Sequence, residues 1–160
     1  MKIKHLFEKW DMTSLRINVG FLESEWKPNV CDAEAAWEMY VELLTRIATQ
    51  RLPDDDGMES SALESVYSLF GITRAILREH GRDSIGFAKI AIIILNQVIR
   101  PFTARWHKLS EEGAFADREQ CLLFRKELNL LQVDLNNYMG MLAEIAGIED
   151  ISVITFPSRE

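Results

Sequence analysis

The sequence has few of the residues that build cross-links or metal sites. It contains two cysteines, Cys31 and Cys121, which belong to no Cys-x-x-Cys or Cys/His cluster. A disulfide framework or a zinc site is therefore not expected, and two free thiols are typical of a protein in the reducing cytoplasm. The three histidines are scattered, and the Glu-x-x-His pair of di-metal helical bundles does not occur. We predict no metal and no cofactor.

Positive charge and long apolar runs are also scarce. The chain has 18 Lys and Arg residues against 25 Asp and Glu residues, a net charge of −7. This balance argues against DNA binding, because phosphate neutralisation supplies most of the affinity for nucleic acids. The most apolar segment, 85–99, contains Lys89, Asn96 and Gln97 and falls short of the ~20 apolar residues that span a bilayer. Since the charged N-terminus does not resemble a signal peptide, we predict a cytoplasmic chain with no membrane span.

Loops that bind phosphate or present a nucleophile are missing as well. The eight glycines form no Gly-rich loop, and no Ser or Cys lies in a nucleophile elbow. The chain has 160 residues, of which 48% are hydrophobic. This length and composition predict one folded domain over 1–160.

The apolar residues that are present recur at helical intervals. Steps of three and four predict helices over about 32–52, 59–80, 84–108 and 117–146. We therefore predict an all-α fold, arranged as a four-helix bundle. The third helix is apolar on every side, which predicts burial on every side. Pro101 predicts a kink or break in that helix.

The helix over 117–146 carries the clearest pattern. Its apolar residues alternate steps of four and three, as in a heptad seam: Phe124, Leu128, Leu131, Leu135, Tyr138 and Leu142. Such a seam can pack inside a monomer or across a dimer axis. We take these six residues as the predicted contact with a protein partner or a second copy of the chain.

Both ends of the chain carry a different pattern. Apolar and polar residues alternate over 14–21, and a similar short pattern covers 151–156. Period two predicts a half-buried strand at each end. Because an isolated strand is unstable in water, we expect the two to pair with each other or with a partner chain.

Two arginine–histidine spacings suggest chemistry. Five residues separate Arg74 from His80, and six separate Arg100 from His107. These four residues are the candidate catalytic groups. The structural alternatives are that His80 is a cation at a helix C-terminus and that the segment from Arg100 to His107 ties down a broken helix.

The two spacings resemble the R-x4–6-H pattern of the HEPN superfamily, whose all-helical members are often metal-independent ribonucleases. The resemblance implies that the histidine acts as acid or base at a ribose 2′-oxygen. It also implies that the arginine stabilises the phosphate charge of the transition state. The family places a polar residue directly after the arginine, where this chain has Ala75 and Pro101.

A broader resemblance covers residues 60–147. It is carried by Ala62-Leu-Glu-Ser-Val-Tyr-Ser-Leu-Phe70, Thr73-Arg74, Gly81, Leu95-Asn96, Arg100-Pro-Phe102, Trp106-His107 and Phe124-Arg-Lys-Glu-Leu128. These residues resemble an uncharacterised bacterial helical family found near signalling and phage-defence genes. The resemblance implies a cellular context and no activity.

Three functions follow as hypotheses. The first is a non-enzymatic helical interaction module, a regulatory or accessory subunit of a bacterial signalling or antiphage-defence assembly. The second is a HEPN-like ribonuclease. The third is a small-anion or nucleotide sensor, which would need Arg74, Arg78, Arg100 and Arg105 to converge in space.

Overall fold

The computed structural model describes residues 1–53 and 56–155, which are mostly helical. The predicted all-α class is confirmed. The helices are α1 (Ile3–Lys9), α2 (Val19–Glu23), α3 (Val30–Leu44), α4 (Glu59–His80), α5 (Ile85–Ile94), α6 (Arg100–Glu111), α7 (Arg118–Ala146) and α8 (Ser152–Thr155). Short 3-10 turns lie at Ile47–Thr49, Gly81–Ser84 and Ala114–Ala116.

The first predicted helix, over 32–52, has different bounds. The helix α3 begins at Val30, because Asn29 and Asp32 form a capping box in which each side chain accepts a hydrogen bond from the other's backbone N–H. It ends at Leu44 and not near residue 52. Asp32 is buried in the first turn, where it also accepts a hydrogen bond of 2.8 Å from the Phe87 N–H.

The predicted helix over 84–108 continues through Pro101 without a break. A π-helical turn at Leu95–Ile99 joins α5 to α6, and the Arg100 N–H donates to the Leu95 carbonyl. Pro101 then lies in the first turn of α6, where a missing N–H costs little. The wide turn therefore absorbs the proline that was expected to kink or break the helix.

The heptad seam of α7 lies inside the chain. Its six residues, Phe124, Leu128, Leu131, Leu135, Tyr138 and Leu142, are 0–6% exposed. The helix begins at Arg118 after the N-cap Asp117, whose side chain accepts a hydrogen bond from the Glu119 N–H. Gly147 follows its end in the left-handed conformation. The seam therefore builds the core of the monomer, so a partner would have to bind another surface.

The two predicted strands do not form in the described residues. Residues 14–18 are irregular and α2 follows, because the Asn18 side chain caps this helix by accepting from the Phe21 N–H. Of the segment 151–156, α8 takes up Ser152–Thr155, and Phe156 lies outside the described residues. The expected pairing of the two ends is absent from the described chain, where the single isolated bridge joins Lys2 to Glu25.

The segment before α3 is fixed to the helices by two tryptophans. Trp10 lies on Gly140 of α7, and Trp26 lies on Gly86 at the start of α5, each so close that a Cβ on the glycine would overlap the indole. The Trp10 indole N–H also donates to Glu144 at 2.7 Å. The N-terminal residues therefore form part of the packed structure and cover the second half of α7.

Among the described residues, one helical run could cross a membrane by length and composition alone. It is Glu59–Glu111, whose most apolar 18 residues have a mean hydropathy of 1.5 and are 44% buried. The core helix of a soluble protein can have the same length and composition.

Candidate interaction groove and the arginine–histidine positions

The helix α5 leaves part of its apolar surface open. Phe87, Ile90 and Ile94 are fully buried, whereas Ile85 is 58% and Ile92 is 45% exposed. The expectation that this helix is buried on every side is therefore wrong. Ile85 and Ile92 are seven residues apart, so they lie on one face of α5.

A segment of the N-terminal region forms the opposite wall. Together with α5 it encloses a groove of about 520 Å³, lined by Arg16, Ile17, Asn18, Phe21, Ile85, Ala88, Lys89, Ile92 and Ile93. This volume falls within the range of protein sites that bind ligands or side chains of a partner. We call it the α2–α5 groove.

Hydrogen bonds hold the wall in place. The Gln97 side chain accepts from the Arg16 N–H at 2.8 Å and donates to the Arg16 carbonyl at 2.7 Å. Gln97 lies in the π-helical turn, and such turns are frequent at functional sites. Trp26 against Gly86 fixes the same region from the other end of α5. The groove is therefore formed before any partner binds.

The charge at the groove is positive, in contrast to the acidic chain. Arg16 and Lys89 line it, and no carboxylate does. Across the described residues neither cation makes an ion pair, and the Lys89 Nζ lies 5.7 Å from the ring centroid of Phe21. The nearby cations Lys2 and Lys4 differ, because they bind Glu23 at 2.9 and 3.0 Å. These two lysines hold the pKa of Glu23 down at about 2.

The candidates Arg74 and His80 do not form a pair. The His80 Nε2 lies 2.8 Å from a Glu38 oxygen, and its Nδ1 lies 3.9 Å from Glu34, so the ring ties α4 to α3. Arg74 is exposed on α4. Arg74 and His80 are six positions apart, and each position turns the helix by about 100°. Their side chains therefore lie roughly 120° apart around the helix axis. His80 therefore makes a contact between the end of α4 and α3.

The candidates Arg100 and His107 do share a face of α6. The two residues are seven positions apart, which is about 20° short of two full helical turns. Their side chains therefore point in nearly the same direction, roughly 10 Å apart along the axis. The Arg100 guanidinium lies 4.8 Å from the ring centroid of Phe70 and donates to the Asn96 side chain at 3.2–3.3 Å. The His107 ring meets the edge of Tyr67 at 4.8 Å between centroids.

The four arginines named for a sensor do not share one site. Arg105 turns to the other side of α6, where it binds Glu127 at 3.2 Å and lies over Trp106. Arg100 lies instead over Phe70 on α4. Across the parts of the chain that are described, no group of three or more His, Cys, Asp or Glu residues is placed to hold a metal ion.

The groove residues were missed at the level of sequence, although one signal marked them. Lys89 stands four residues after Ile85 and three before Ile92. A charged residue at that spacing indicates the solvent side of a helix, so Lys89 marks the open face of α5 within the apolar run. The contribution of Arg16 and Phe21 could not be found, because the two lie in a segment predicted as a strand.

Comparisons of the chain with family models, curated proteins and solved structures find no match.

Proposed function

We propose that this chain is a non-enzymatic helical interaction module, a cytoplasmic regulatory or accessory subunit that binds another protein. On this proposal its long helices act together as a four-helix bundle that supports one binding surface. The bacterial signalling or phage-defence setting comes from the resemblance over residues 60–147. The observation that carries the proposal is the apolar α2–α5 groove, which contacts within the chain hold in place and which Arg16 and Lys89 line.

Several features of the groove support a protein partner. Ile85 and Ile92 expose large apolar side chains two turns apart on one face of α5, and burial of such surface favours association. The Gln97 bridge and the Trp26 contact hold the groove open, which lowers the ordering cost of binding. Arg16 and Lys89 at its edge add charges that select a partner.

A site-specific photo-crosslinking experiment in cells of the source organism tests this function. A benzoyl-phenylalanine residue replaces Ile92 in the groove or, as the control, Val133 on α7, which is 56% exposed. We expect a defined protein adduct from the Ile92 position that Val133 does not give. The adduct should disappear when Ile85→Asp is added. No adduct at Ile92, or identical adducts from both positions, would overturn the proposal.

A HEPN-like ribonuclease is the second candidate. The observation in its favour is that Arg100, which is exposed, and His107, which is half-buried, lie on one face of α6. The His107 ring also contacts Tyr67, which is 54% exposed. On this reading His107 moves the proton and Arg100 stabilises the phosphate. A labelled RNA should then be cleaved by the purified chain in EDTA, and His107→Ala should abolish cleavage while Arg105→Ala does not. An intact RNA, or equal cleavage by both variants, would exclude this candidate.

A further inference from the structure

We infer that the α2–α5 groove binds an amphipathic helix of the partner protein whose apolar side is flanked by acidic residues. The inference rests on the proposed function and adds the shape and the charge of the bound segment. Three properties of the groove lead to it: the lack of a free sheet edge, the spacing of its floor, and its two cations.

The first property excludes recognition by strand addition. The described residues contain no strand, and the isolated bridge between Lys2 and Glu25 offers no edge to extend. An extended segment in the groove would leave its own backbone N–H and C=O groups without partners in the apolar part. A helix satisfies these groups internally, so it can lie against apolar side chains without that cost.

The second property sets the length of the bound helix. The floor residues from Ile85 to Ile93 span eight steps of α5, which is about 12 Å at 1.5 Å per residue. Their spacing of three and four residues makes a ridge that fits between the ridges of a second helix. A facing helix of about two turns would place three apolar residues, at i, i+3 or i+4, and i+7, against this floor.

The third property sets the charge. Arg16 and Lys89 line the groove without an ion-pair partner among the described residues, and no carboxylate lines it. An Asp or Glu at the border of the apolar side would meet these cations, whereas a Lys would be repelled. A second copy of this chain fits less well. In a two-fold symmetric contact the same patch faces itself, so the cations of one copy would lie near those of the other.

A display selection tests this inference with the full chain. The library holds 18-residue peptides with Leu at i, i+3 and i+7 and random residues at the flanking positions. The bait is the wild-type chain, and peptides that also bind Ile92→Asp are removed. We expect Asp and Glu to be enriched on both flanks, and the selected peptides to become helical when bound, as measured by circular dichroism.

A charge reversal provides the second arm. For a selected peptide, Lys89→Glu should weaken binding about 10-fold or more at low salt, and a peptide with its acidic residues changed to Lys should recover affinity for that variant. Arg118→Glu, an exposed charge change on α7, is the matched control and should leave the Kd unchanged.

Four results with peptides or with the chain itself, and one with a small ligand, would overturn the inference. They are enrichment of neutral or basic flanks, bound peptides that stay extended, no selection that depends on Ile92, and dimers of the chain that Ile92→Asp dissociates. Binding of dodecanoate in the groove, together with a selection that fails, would show a small amphiphile as the ligand and would also overturn it. Of these five results, the dodecanoate result alone predicts that no protein adduct forms at Ile92 in cells. The other four overturn the inference and leave that adduct in place. The failure of the inference can therefore be told apart from the failure of the proposed function.

Discussion

The six-membered ring of Trp10 lies directly on the backbone of Gly140, at a point where any side chain on residue 140 would overlap the indole. The contact joins α1, at the start of the chain, to α7, near its end. The Trp10 N–H extends it by donating to Glu144 one turn further along α7. The absence of a side chain on Gly140 therefore allows the N-terminal segment to pack against α7.

Gly140→Ala should destabilise the chain because the new Cβ would occupy the space of the Trp10 ring. We expect a loss of about 1–3 kcal/mol in the free energy of unfolding, as for other overpacked sites, measured by urea denaturation. Gly71→Ala is the matched control, since Gly71 is an exposed glycine inside α4 whose Cβ would meet only the Arg74 guanidinium, at 3.9 Å. That change should stabilise the chain by up to about 1 kcal/mol. Equal stability of the two variants would contradict the contact.

Gln97→Ala should release the wall of the α2–α5 groove, because both hydrogen bonds to the Arg16 backbone are lost. We expect the Arg16 amide to exchange its hydrogen at least ~10-fold faster, which corresponds to about 1.4 kcal/mol. Asn96→Ala is the control, because its side chain binds Arg100 and not the wall. If Arg16 keeps its protection without Gln97, the wall is held by other contacts.

Tyr138→Phe and Tyr40→Phe should act in opposite directions. In the described chain the Tyr138 hydroxyl is buried with no hydrogen-bond partner, so its removal should raise the free energy of unfolding by about 1 kcal/mol. The Tyr40 hydroxyl donates to Asp150 at 2.8 Å and accepts from the Ile151 N–H at 2.9 Å, so its removal should cost about 1–3 kcal/mol. Urea denaturation measures both, and a loss of stability in Tyr138→Phe would contradict the structure.

The chain should lose stability in alkali through Tyr40. Burial and the hydrogen bond to Asp150 raise the pKa of Tyr40 to about 12, from an unfolded value near 10. A raised folded-state pKa means that the full stability is present below pH ~10 and declines as the pH approaches 12. Burial also raises the pKa of Tyr138, which adds to the slope in the same sense. Stability measured from pH 9 to 12 should therefore fall, and less steeply in Tyr40→Phe than in wild type.

The helices could be predicted where the pattern is long and the caps are strong. For α7, the heptad from Phe124 to Leu142 and the cap Asp117 predict both the extent and the buried side. Over 14–21 the alternation of apolar residues is real, but it is short, and the Asn18 cap starts a helix inside it. Period two predicts a strand only if a neighbouring strand exists to pair with, and local sequence does not supply that information.

The groove could be predicted only in part, for a related reason. The isoleucines of α5 predict a helix that needs burial on most sides, and they do not say which side the rest of the chain leaves open. That side depends on where Trp26 and Arg16 bring the N-terminal segment across α5. The docking of a distant segment is a long-range property, which a periodic pattern within one helix does not encode.

The wide turn at Leu95–Ile99 has a geometric consequence for the whole second half of the molecule. A turn closed by an i→i+5 hydrogen bond holds one residue more than an ordinary α-helical turn, so it takes up one surplus residue without rotating the helix that follows. A one-codon deletion within this turn should therefore restore the ordinary pitch and leave Trp106 in the interior. A one-codon deletion in α6 before Trp106 has no wide turn to take it up, and it would rotate that side chain by about 100°.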